Sequence, residues 1–253
     1  MELLFKTSSP NHEISVYDTT ELYGEKGRFR VLEFSNSAIQ GAMDLNDPAH
    51  ILFEYPRAMI HLIEYNIPSI EKMFIIGHGI GTIAGYFSEE QCKVVEIDQT
   101  VVELSRKFFG YRKDNVRIGD GRQILTNEKQ HVYDTIVLDA FTEKGTPTHL
   151  ISKPFFEICK EKLDPSGLIV MNLFGKGDND QLVNAIHSTL SEEFAYIQAF
   201  LLPSEGTADI QNFLLAGSQE PIGFQARHMA GFAQIELGQG YIIRDKVDRS
   251  ELN

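Results

Sequence analysis

Three glycines at alternate positions, Gly77, Gly79 and Gly81, follow an apolar run in "MFIIGHGIGTIAGYF". Glycine tolerates positive φ and lets a backbone approach a ligand closely. Such a loop can hold a phosphate, a nucleoside without phosphate, or nothing beyond its own packing. Glu96 ends the next apolar run, "KVVEID", about 20 residues on, where a carboxylate can accept both hydroxyls of a ribose. Asp98 reads instead as the N-cap of a helix that begins near Thr100. "IGDGRQ" puts Asp120 and Gly121 at the end of a third strand-like run. Asp120 can accept a hydrogen bond from an adenine amino group or cap the helix that follows. Together the three features specify an adenosine, with ribose on Glu96, base near Asp120 and the remainder over the glycines. The phosphate-loop pattern G-x-x-x-x-G-K-S/T does not occur. A dinucleotide fold would satisfy the glycines and Glu96 but leaves the "GDG" rim unexplained.

Two rhythms in the chain must position these residues. From Glu2 to about Gln40, "ELLFKT", "EISVYDT" and "RFRVLEF" are short strand-like runs parted by turn formers, which predicts a small antiparallel sheet. "HILFEYPRAMIHLIEYN" predicts a helix, with Ile51, Met59, Ile60 and Ile63 near helical spacing and Pro56 close to its start. After Pro68 strand-like and helix-like runs alternate, which predicts a parallel sheet covered by helices on both faces. "AYIQAFLLP" and "QNFLLAGS" lack an intervening helix and predict a hairpin at the sheet edge. The expected architecture is α/β, a doubly wound, mostly parallel seven-stranded sheet with a small N-terminal antiparallel β-domain. Residues 1–48 form the latter and 49–253 the nucleoside-binding domain.

Composition narrows the partners. The 253 residues carry 36 acidic and 23 basic side chains, a formal charge of −13, which argues against nucleic acid or an anionic membrane as partner. "MELLFKTSSPNHE" has no basic start and no sustained apolar run, so a cytoplasmic protein is expected. Cys92 and Cys159 lie far apart, as two core thiols of a reduced compartment would. The eight histidines show no paired ligand spacing, and no metal is expected.

These residues resemble the spermidine/spermine synthase family within the class I S-adenosylmethionine-binding fold. "IIGHGIGT" is similar to its glycine motif, "VEID" to its ribose-binding acid, "GDG" to its adenine site and "YDTIVLDAF" to the strand that carries its catalytic aspartate. The resemblance puts Asp139 on the catalytic position, Gln40 and Tyr55 in the pockets for the thioether and the amine, and His61 on the histidine that follows in the helix. It implies S-adenosylmethionine or its decarboxylated form as co-substrate, a small amine or polyamine as acceptor, and a homodimer or tetramer. The implied reaction moves an aminopropyl group to the amine. An Asp beside a phenol suits it, because the attacking amine must be oriented and lose a proton.

Two positions depart from the family pattern. Ile80 stands where the family has an Asp that binds the amino end of the donor, and Thr142 stands where a second acid of the polyamine loop is usual. Glu143, Asp44 or Asp47 are the acids at hand to replace them. Methyl transfer to a small molecule from intact S-adenosylmethionine, and a non-catalytic nucleoside-binding protein, therefore stand beside aminopropyl transfer. His78 is expected to face solvent from the glycine loop, and His149 to lie at a helix entry. Gly145 and Pro147 mark a loop able to close over substrate, and the mixed-charge tail is expected to be exposed.

Overall fold

The computed structural model describes residues 1–9, 13–34, 39–142, 145–177, 179–203 and 210–246. Four antiparallel strands come first: β1 (Glu2–Ser8), β2 (Glu13–Leu22), β3 (Glu25–Phe34) and β4 (Ile39–Asp44), paired in sequence order. Three match the strand-like runs. The fourth, "IQGAMD", is too short and too glycine-interrupted to show a period of its own, and it forms by pairing with β3.

Helix α1 (Glu54–Asn66) leads into the main sheet, and Pro56 sits in its first turn, where no intrahelical N–H is needed. Then follow β5 (Met73–Ile76), α2 (Thr82–Tyr86), β6 (Cys92–Glu96), α3 (Gln99–Phe108), β7 (Val116–Ile118), α4 (Gly121–Thr126) and β8 (Tyr133–Leu138). The chain continues through α5 (Lys153–Lys162), β9 (Leu163–Lys176), α6 (Gln181–Leu190), β10 (Tyr196–Leu201), β11 (Ile210–Ser218) and β12 (Ala233–Ile235). The order across the sheet is β12-β10-β11-β9-β8-β5-β6-β7.

Strands β7, β6, β5, β8 and β9 run parallel, and β11 enters antiparallel between β9 and β10. Seven strands are those expected. The eighth, β12, is three residues long and pairs with β10, so the hairpin lies inside the sheet and β12 takes the edge. Both cysteines are free and buried. Among the described residues no helix is long and apolar enough to cross a membrane.

Alternation along each strand splits the core. Phe74 and Ile76 pack under Leu125, Phe155 and Ile186 of α4, α5 and α6, whereas Met73 and Ile75 face Met59, Leu62 and Ile63 of α1. The small sheet rests on α3 through Ile14, Val16 and Leu32 against Val101 and Leu104. Arg30 fastens the two bodies: it grips both Asp18 oxygens at 2.8 and 3.0 Å and donates to the Phe108 carbonyl at 3.1 Å, satisfying an oxygen at the end of α3.

Candidate functional site

The tip of β5 meets the tip of β8. Gly77 has φ +98°, and a Cβ there would lie 2.0 Å from the Asp139 carbonyl oxygen, so only glycine lets the loop leave the strand beside Asp139. The Asp139 N–H donates to the Ile76 carbonyl at 2.8 Å, fixing the aspartate at the strand end. Gly79, at φ +54°, lies under β4, where a Cβ would sit 3.4 Å from the Gln40 carbonyl oxygen. Gly81, at φ +87°, passes over the Tyr111 ring into α2.

Glu96 is 9% exposed and held by the loop it faces. Its Oε2 accepts the His78 N–H at 2.9 Å and its Oε1 accepts the Asp98 N–H at 3.0 Å. Burial raises its pKa, and these backbone donors pull it back. Each carboxylate oxygen keeps a lone pair for a further hydroxyl. We expect Glu96→Ala to weaken nucleoside binding by about 1–3 kcal/mol, since a charged hydrogen-bond partner is lost. Calorimetry with methylthioadenosine reads this directly, and equal affinities would place the ribose elsewhere.

The other acids divide their work. Asp98 caps α3 by accepting the Thr100 N–H at 2.9 Å, as expected. Asp120 caps α4 by accepting the Gln123 N–H at 2.8 Å, and its second oxygen meets His149 Nε2 at 2.8 Å. The Gly119 N–H donates to the Glu96 carbonyl at 2.9 Å, which brings the "GDG" rim against the tip of β6. Gly121 packs its backbone on Ile76. Between the buried acids Glu96 and Asp98, Ile97 is 60% exposed and offers an apolar face at the same rim, a residue that the sequence reading missed.

Asp139 is half-buried, and three elements converge on it. The Tyr55 phenol at the start of α1 lies beside its carboxylate, near enough for each group to shift the titration of the other. Asn172 of β9 donates from Nδ2 to Oδ1 at 2.9 Å, and Asn212 of β11 donates to Asn172 Oδ1 at 2.9 Å. Desolvation raises the Asp139 pKa to about 6, and the two side-chain donors restrain the rise. Burial, with the nearby Asp139 charge, also raises the Tyr55 pKa, so the phenol stays a donor. Asn172 belongs to no motif, yet an amide inside "GLIVMNLFG" is a signal, because a buried polar group demands a partner. Asn172→Leu removes a donor to the charged form, so Asp139 should titrate at higher pH. Carboxyl NMR of the variant tests this, and an unmoved midpoint would mean that Asn172 does not restrain it.

Several expectations move. His78 does not face solvent: it is 7% exposed, with Nε2 on Ser105 Oγ at 2.8 Å and its ring edge-on to Tyr111. Burial, with Arg106 nearby, lowers its pKa to about 4, so the ring is neutral at pH 7. The loop is pinned from beneath by α3, which its exposed-looking glycines did not reveal. His61 accepts the Gln225 N–H at 2.9 Å on the outer face of α1, apart from Tyr55.

Ile80 packs against the apolar cluster that joins the small sheet to α3, and a Cβ at Gly41 would meet its side chain at 2.6 Å. Thr142 is exposed and exchanges backbone hydrogen bonds with Gly145 at 2.9 and 3.0 Å. Asp44 and Asp47 accept the N–H groups of Asn46 and Ala49 at 2.8 and 3.3 Å in their own turns, and Glu143 lies outside the described residues.

A sheet with one reversed strand beside β9, a glycine loop after β5 and carboxylates at the tips of β6, β7 and β8 defines the class I S-adenosylmethionine-dependent methyltransferase-like fold. Residues 52–208 match the spermine/spermidine synthase domain, and the chain belongs to that family. Putrescine N-methyltransferase 2 of Nicotiana attenuata is 35% identical over 128 residues, 46% of this chain and 34% of that protein. Spermidine synthase 2 of Datura stramonium is 30% identical over 179 residues, 66% of this chain and 52% of that protein. The chain thus spans a third to a half of the length of the curated relatives it matches. The crystal structure of a probable spermidine synthase from Corynebacterium glutamicum superposes with a TM-score of 0.71 at 23% identity, covering 85% of this chain and 80% of that one.

Proposed function

We propose that the chain is a transferase that alkylates a small amine from an S-adenosyl sulfonium donor, with Asp139 as base and aminopropyl transfer as its reaction. The observation that carries this reading is the convergence of Tyr55 and Asn172 on Asp139, beside the glycine loop. The site suits an uncharged nucleoside. Glu96 is a buried acid with spare acceptor capacity, the rim is lined by Asp120 and Ile97, and an acidic rim would repel a pyrophosphate.

In this reading Glu96 holds the ribose, Asp120 and Gly121 the base, and Gln40, Gly77, Gly79 and Gly81 the remainder of the donor. Tyr55, Asp139 and Thr142 border the acceptor. The amine nitrogen bonds to the carbon beside the sulfonium, the C–S pair leaves with sulfur as a neutral thioether, and the amine proton passes to the Asp139 carboxylate. With a pKa of about 6 that carboxylate is ionised at pH 7.5 yet basic enough to hold the proton. Tyr55 and Asn172 fix its direction without taking the charge.

A second reading, methyl transfer from intact S-adenosylmethionine, is favoured by Ile80. Its side chain packs on an apolar cluster, at the position where the family pattern has an Asp for the amino end of the decarboxylated donor. An ammonium left there without a partner is costly. Mass spectrometry of a diamine mixture incubated with each donor separates the readings: aminopropyl transfer requires gain of that unit from the decarboxylated donor. Gain of a methyl group only, from the intact donor, would overturn it in favour of the second.

A further inference from the structure

His61 is the motif residue that the crevice does not use, and it lines a cavity of about 340 Å³ on the opposite face of α1. Arg57, His61 and Glu64 come from the helix, and Arg227 and His228 from the turn Ala226–His228 that crosses it. We propose that this cavity binds a small anion bearing a phosphate group.

Hydrogen bonds at the rim decide which atoms are free to act. His61 Nε2 accepts the Gln225 N–H at 2.9 Å, and His228 Nε2 accepts the Arg227 Nε–H at 3.1 Å. A ring nitrogen that accepts carries no proton, so each neutral imidazole holds its proton on Nδ1. The two rings stand 5.2 Å apart, centroid to centroid. Arg227 is braced on Gln225 Oε1 through Nε at 3.2 Å and Nη2 at 3.0 Å. Arg57 is braced on the Phe53 carbonyl at 3.2 Å and on Glu54 at 3.4 Å. Among the described residues, neither Nη1 group and neither Nδ1–H has a protein partner. Four donors without a protein partner thus sit on residues that line one cavity, on side chains held through their other nitrogens, which lowers the entropic cost of closing them on a ligand.

Forked guanidinium donors match phosphate oxygens in pairs, and imidazole N–H groups add to them. Glu64 is the one acid among the lining residues. Its Oε1 accepts the Tyr86 hydroxyl at 2.8 Å, leaving Oε2 to accept a hydroxyl on the organic part of the ligand. The chain carries a net charge of −13, but that field is screened beyond about 8 Å at physiological salt, so the local set governs binding. The same helix carries Tyr55 at its start, so an anion clamped on Arg57 and His61 loads the element that orients Asp139.

Phosphorus NMR and calorimetry on the full chain, with inorganic phosphate and pyrophosphate as probes in oxyanion-free buffer, test the assignment. We expect one saturable site at millimolar or lower concentration, weakened at least about tenfold in Arg57→Ala/Arg227→Ala. Methylthioadenosine binding should be unchanged in that variant, which reports an intact fold and separates this site from the crevice. If the double variant does not fold, His228→Ala, which alters an exposed ring on a turn, should weaken the probes in the same direction. Absence of saturable binding by both probes, or undiminished affinity in the folded variants, would overturn the proposal.

Discussion

Replacing Asp139 with asparagine should lower turnover at least about a hundredfold while leaving nucleoside affinity nearly unchanged. The amide oxygen can still accept from Asn172 Nδ2, so that contact survives while the proton acceptor is lost. Stability supplies a second readout with a definite sign. The carboxyl titrates near 6 in the folded chain against 3.8 in an unfolded one. The native state therefore holds that proton more tightly, and its contribution is fully present below pH 3.8 and lost as pH rises through 6. Keeping the ionised group desolvated at pH 8 costs on the order of 3 kcal/mol. Asp139→Asn removes that charge and should unfold no earlier than the parent at pH 8. Unaltered turnover would retire Asp139 as the base. Lost turnover with lost nucleoside binding would show that the substitution had broken the crevice rather than the chemistry.

Gly77→Ala should destabilise the chain by at least about 3 kcal/mol, enough to leave little folded protein. Two costs add at one atom. The residue sits at φ +98°, a conformation that L side chains rarely adopt, and its new methyl would meet the Asp139 carbonyl oxygen at 2.0 Å. That oxygen belongs to the main chain just past β8 and cannot swing aside as a side chain could. By contrast, Gly145, at φ +93° with open space around it, should bear alanine with only the backbone strain. Denaturant melts of the two variants compare strain alone with strain plus collision. Equal losses would mean that the tips of β5 and β8 are not in contact.

The elements legible in the sequence are those whose signal is local. Alternating strands and helices after Pro68, the Asp98 and Asp120 caps, and the start of α1 near Pro56 follow from periodicity and capping chemistry. Asp139 was legible by resemblance to a family motif, and the structure adds its partners. What escaped depends on distant chain. β4 and β12 are strands only because β3 and β10 lie beside them. His78 looks solvent-facing among glycines until Ser105 and Tyr111, from α3 and the loop after it, close around it. Asn172 and Asn212 come from paired strands that α6 and β10 separate in the chain, and no spacing rule links an amide in β9 to one in β11. His61 shares a helix with Tyr55 yet serves another surface, because the turn near residue 225 reaches the outer face of α1.

Ile80 carries one more consequence. Wedged against Gly41 and seated on the greasy seam under the small sheet, it rivets that sheet, the roof of the crevice, to the glycine loop that floors it. The two sheets should accordingly melt in a single calorimetric transition. Swapping that isoleucine for a polar side chain would let the roof lift, loosening the donor's seat without touching a single group that reacts.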